Sequence, residues 1–134
     1  MSWRLVFALS AFGAAMGLAT VYVVPSDVEP VLWLAIFVFC AWVIARRCPS
    51  RPVLHGLAVS LVNSVWITAA HVLLFDAYLA RHAREADMVS RMPLPPRLMM
   101  ALTGPVVGLV SGLVLGAFAV VAARLVRRPR PAPG

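Results

Sequence analysis

The sequence predicts an all-α membrane protein: a four-transmembrane-helix bundle with both termini on the cytoplasmic side (N-in/C-in). Three observations predict it. The 134 residues are 62% hydrophobic and 13% charged, with a mean hydropathy of +0.90, whereas a soluble domain is about half apolar and about a quarter charged. The apolar residues fall into four continuous runs, each long enough for the ~20 residues that a helical crossing requires. All 12 basic residues are arginine, and they gather at the ends of those runs. A transmembrane barrel is excluded because the runs do not alternate with period two.

Span one is expected over Trp3–Val24. Its apolar run exceeds the ~7–15 residues of a signal-peptide core, and no small-x-small cleavage site precedes Pro25, so it reads as a retained span. A short turn, Pro25–Pro30, carries Asp27 and Glu29 and leads into span two, Pro30–Arg47. Cys40 and Cys48 lie about 12 Å apart along a helix axis, too far for a disulfide. Cys40 reads as a small packing residue. No Cys-x-x-Cys occurs, which argues against thiol–disulfide chemistry.

Span three, Pro52–Ala80, carries a polar stripe. At about 100° per residue, Ser60, Ser64, His71, Tyr78 and His82 share a sector of ~40°, with Asn63 flanking it and Thr68 and Phe75 beside it. Polar side chains in lipid need partners, so the stripe is expected to face the bundle. Asn63 is placed about 18 Å from the Arg51 border and His71 about 30 Å, from helical rise. The stripe reads either as interhelical hydrogen bonding or as an outward-facing pocket in which His71 is the titratable group. Asp76 is expected to meet Arg97 or Arg81.

The Arg81–Pro96 connection is too short for a core of its own. His82–Met92 is expected to form a turn or two of interfacial helix, and Pro93, Pro95 and Pro96 force an extended entry into span four.

Span four, Arg97–Val126, repeats glycine at every fourth position: Gly104, Gly108, Gly112 and Gly116. Span one holds Gly13 and Gly17. Glycine at this spacing allows helix backbones to touch. Because the depths match, spans one and four are expected to pack glycine to glycine, with Asn63 capping the contact. Pro105 removes a backbone hydrogen bond and should kink span four. It frees the Ala101 carbonyl, at the estimated depth of His71, and His71 is expected to donate to it. Residues 1–126 form one membrane domain, and 127–134 are expected to be a disordered basic cytoplasmic tail.

Orientation follows from arginine. Eight lie beside the termini and the span two–three connection, four on the other side with every acidic residue; arginine excess marks the cytoplasmic side. The arginine- and alanine-rich composition suggests a bacterial inner membrane. No nucleic-acid partner is expected, because the arginines sit at span ends rather than on one surface. The three histidines, His55, His71 and His82, belong to one helix or its extension, which opposes a haem held between two helices. No metal set, phosphate loop, nucleophile elbow or pair of mid-depth carboxylates occurs, so no cofactor, metal or catalytic residue is expected. The reading is a non-catalytic membrane protein acting through helix packing, with lipid and other membrane subunits, or a second copy of itself, as partners. The alternative is a small channel or carrier with its path along Ser60, Asn63, Ser64 and His71. An intramembrane enzyme using His71 as base ranks third.

Overall fold

The computed structural model describes residues 1–126, which are all-helical, with no strand among them. The elements are α1 (Trp3–Tyr22), α2 (Glu29–Arg47), α3 (Pro52–Leu73), α4 (Phe75–Arg81), α5 (Ala83–Ser90) and α6 (Pro96–Val126). Four of them, α1, α2, α3 and α6, are long and apolar enough to cross a membrane. The expected tail, 127–134, lies outside the described residues.

Proline starts two of the long helices: Pro30 stands in the first turn of α2 and Pro52 in that of α3. Its missing N–H costs nothing there and its fixed φ suits the helix. α6 also begins at Pro96 and runs unbroken through Pro105.

α3 and α6 form the centre, with α1 flanking α3 and α2 flanking α6. α1 runs parallel to α3, since Ser2 meets His55 at one end and Thr20 meets His71 at the other. α6 runs antiparallel to α3, matching Gly104 to Thr68 and Gly116 to Val53. The helices therefore share a terminal face, near Trp3, Arg47, Pro52 and Val126, and a loop face, near Tyr22, Glu29, Leu73 and Pro96.

The terminal half is tightly closed. Val6, Leu9, Cys40, Ala41, Ile44, Val59, Leu115 and Ala119 form one buried cluster to which all four long helices contribute. At that face His55 Nδ1 donates to the Arg51 carbonyl (2.8 Å), and its Nε2 accepts from the Ser2 amide (3.1 Å). One ring thus ties the starts of α1 and α3 together.

Two expectations are corrected. Spans one and four do not pack glycine to glycine; both pack on α3 instead. A methyl placed at Gly13 would lie 2.8 Å from Asn63 Cα, and one at Gly17 would lie 3.2 Å from Ile67 Cα. The span-four ladder faces α3 throughout: Gly104 meets Thr68, Gly108 meets Ser64, Gly112 meets Leu57 and Ser60, and Gly116 meets Val53. Matching depth is necessary for two helices to touch but does not choose their neighbours. α3 has small residues on two faces and takes both glycine helices. One of them, Gly56, is not marked by any sequence pattern: a methyl there would lie 2.6 Å from the Gly116 nitrogen.

The second correction concerns span three, which is broken. The chain leaves the helix at Leu74 (φ −105°, ψ 31°) and restarts as α4. Asp76 then stands in the first turn of a new helix, where a negative charge suits the helix dipole. α4 rests against α1, and Arg81 donates to the Tyr22 carbonyl at 2.7 Å. That contact satisfies an orphan acceptor at the C-terminal end of α1.

Candidate functional site

Towards the loop face the helices part. α2 stays on α6 but leaves α3, and a cavity of about 680 Å³ opens between the three. Its walls follow helical spacing. α3 supplies Ser60, Asn63, Ser64, Ile67, Thr68 and His71; α6 supplies Met100, Thr103, Gly104, Val107, Gly108, Ser111, Val114 and Phe118; α2 supplies Glu29, Pro30, Trp33, Leu34 and Phe37. Positions at i, i+3 and i+4 share a helix face, so one face of each helix lines the space. From Met100 to Phe118 the cavity follows α6 for about 27 Å, and Ser26 stands at its mouth.

The structure brings four residues of the predicted polar stripe, Ser60, Asn63, Ser64 and His71, to this one wall. Ser60 is 3% exposed and its hydroxyl has no partner among the described residues. A buried hydroxyl without a partner is uncommon and calls for a physical reason. Ser64 is back-bonded to the Leu61 carbonyl at 2.8 Å. Asn63 differs from expectation: its Oδ1 is buried against Gly13 of α1 rather than over the α6 ladder, and it too has no conventional partner among the described residues.

His71 is also corrected. Its Nε2 lies 2.9 Å from Thr20 Oγ1, and that oxygen lies 3.2 Å from the Gly17 carbonyl. With the hydroxyl donating to the carbonyl, Thr20 accepts from the imidazole N–H. Ala101, whose carbonyl was the expected partner, lines with Pro105 a separate, smaller hollow of about 290 Å³ that excludes His71. The ring still faces the bundle, but it turns to α1. Gly17, one turn before Thr20, lets α1 lie close on α3, where a methyl would be 3.2 Å from Ile67 Cα, so Thr20 can reach the ring.

Tyr78 does not line the cavity. It stacks between two histidines: His71–Tyr78 centroids are 4.5 Å apart at 31°, and Tyr78–His82 centroids 4.3 Å apart at 20°. His82 Nδ1 donates to the Tyr78 carbonyl at 2.9 Å. The three rings keep one sector although the helix breaks between the first and second.

The mouth is polar. Ser26 donates to Glu85 of α5 at 2.8 Å, and this hydrogen bond holds the Glu85 carboxyl below the usual carboxylate range. Glu29 accepts from the Trp33 indole at 3.1 Å. Asp76 pairs with Arg97 at 3.3 Å, in the open. Among the described residues no group of three or more histidine, cysteine, aspartate or glutamate side chains could hold a metal.

Sequence reasoning misses the α2 wall, because Glu29 reads there only as a turn charge and Trp33 only as a packing ring. Their i, i+4 spacing is the available signal, since a carboxylate and an indole N–H at that distance meet on one face. Comparison of the chain with protein-family models, with curated proteins and with solved structures finds no match.

Proposed function

We propose that this small membrane protein is a binding module, taking a small, largely apolar molecule from the loop face into the cavity between α2, α3 and α6. The observation that carries this reading is the cavity itself: about 680 Å³, apolar over most of its wall, with a polar line on α3. Ligand sites have this volume and this mixture. The space is blind. Val6, Ile44, Val59 and Leu115, each no more than 1% exposed, close the terminal half, which favours binding, or one end-state of a carrier, over an open channel.

A role through glycine-mediated assembly is less favoured, because the ladder is spent inside the chain. Gly108, Gly112 and Gly116 are buried under α3 and offer no free face to another subunit.

Thiol accessibility tests the reading in membranes. In a background lacking Cys40 and Cys48, Ser111→Cys should react with a small water-soluble thiol reagent applied to the loop face. Val59→Cys, in the sealed half, and Leu113→Cys, on the outer surface of α6, should not. A Ser111→Cys thiol as inert as Leu113→Cys would mean the cavity does not admit solutes, and the reading would fail.

A further inference from the structure

The lining also speaks to the charge of the occupant, if the cavity binds as proposed above. The chain carries 12 arginines against 5 acidic residues, yet among the described residues the one charged side chain on the cavity wall is a carboxylate, Glu29. The rings nearest it on the same wall are Trp33 and Phe37, with Phe118 at the far end. Trp33 and Phe37 meet edge to face at 6.1 Å. Trp33 is held by its N–H on Glu29, so carboxylate and ring are fixed beside each other on one helix face. A carboxylate next to aromatic faces favours a cation whose charge is spread over a poorly hydrated surface, since both the Coulomb attraction and the ring quadrupole act on it. The same wall opposes anions: no described arginine lines it, so a phosphate or carboxylate head would find no counter-charge there.

The geometry points to a lipophilic organic cation as the ligand class. The cationic centre sits at the mouth between Glu29 and Trp33. Its apolar body lies along Phe37, Val107 and Phe118.

The test uses two probes of nearly the same shape and opposite charge, tetraphenylphosphonium and tetraphenylborate, with uncharged triphenylmethanol as the neutral control. Direct binding to the purified full chain in neutral detergent is followed by equilibrium dialysis. Protection of Ser111→Cys from the thiol reagent reports occupancy of this cavity. The phosphonium should bind saturably and protect; the borate should do neither. Glu29→Gln should weaken phosphonium binding by about tenfold or more, the loss of one partly buried ion pair. It should leave triphenylmethanol unaffected. Gln can still accept from Trp33, so the wall is kept. If triphenylmethanol protects as well as the phosphonium, or Glu29→Gln changes nothing, the cation assignment is overturned while the cavity reading stands. If Ser111→Cys never reacts, both fall.

Discussion

Asn63 and Gly13 set how closely α1 approaches α3. A methyl at Gly13 would lie 2.5 Å from Asn63 Oδ1 and 2.8 Å from its Cα. The side-chain clash can rotate away, but the backbone clash cannot. Gly13→Ala is therefore expected to destabilise by about 1–3 kcal/mol through overpacking, read as a lower melting temperature in detergent. Leu18→Ala, on the exposed side of the same helix, serves as the control; equal melting temperatures for Gly13→Ala and wild type would show that α1 sits elsewhere. The same approach turns His71 towards Thr20. Thr20→Val should cost about 0.5–1.5 kcal/mol, the net worth of one hydrogen bond. A double-mutant cycle with His71→Leu should show coupling between the two sites, and strict additivity would remove the bond. The face of His71 was legible in the sequence from its sector with Ser64, whereas its partner was not. Depth arithmetic places both Thr20 and the Ala101 carbonyl within reach, and only the choice of neighbouring helix decides between them.

The α3–α6 pair carries the largest share of the interhelical contact, and its chemistry is that of small residues in lipid. With hydrocarbon on all sides there is little hydrophobic gain from association, so close packing and backbone approach must hold the helices. At Gly112 a side chain would meet Leu57 Cα at 2.9 Å, which is backbone and cannot yield. Gly112→Leu is expected to cost at least about 1–3 kcal/mol, while Leu109→Ala, on the exposed side of the same helix, should cost far less. Wild-type melting of Gly112→Leu would place the ladder towards lipid. The four-glycine repeat was readable because glycine is a poor helix former, and four of them in register on one face point to close backbone approach. Gly56 was not, since a single glycine in α3 has no periodicity; its meaning comes from lying opposite Gly116. The break at Leu74 was hidden for a related reason. No glycine or proline marks it, and the contacts that favour it, Arg81 on Tyr22 and Arg97 on Asp76, are made by residues distant in sequence. Between the α1–α2 turn and α5, the Ser26–Glu85 bond gives a pH signature. The Glu85 carboxyl is lowered in the folded protein, so its contribution is fully present above the ordinary carboxyl value and is lost as pH falls through the lowered one. Ser26→Ala should thus melt slightly below wild type near neutrality, and the difference should vanish in acid. A difference that persists or grows at low pH would mean the bond is absent.

For the whole molecule, the asymmetry between a sealed terminal half and an open loop half gives membrane orientation a functional meaning. The number of helices long and apolar enough to cross a membrane was legible because hydropathy and length act on every residue of a run and average out local error. The cavity was not, because it arises where α2 departs from α3, and no single helix encodes that. Arg4, Arg46, Arg47, Arg51 and Arg124 sit at the terminal face, and the sequence continues with Arg127, Arg128 and Arg130. The loop face holds Arg81, Arg84, Arg91 and Arg97 together with all five acidic residues. Because arginine is retained on the cytoplasmic side, both termini are expected inside and the cavity mouth outside. Acidic residues contribute little to that rule, so the expectation rests on the arginine count alone. Reporter fusions at Gly134 and within the Arg81–Pro96 connection should report opposite compartments, cytoplasmic for the first. Opposite compartments in the reverse sense would open the cavity to the cytoplasm and invert the source of its ligand. The same compartment for both would mean that α6, the single long helix between the fusion points, does not cross the membrane, and the four-span arrangement would fall with it.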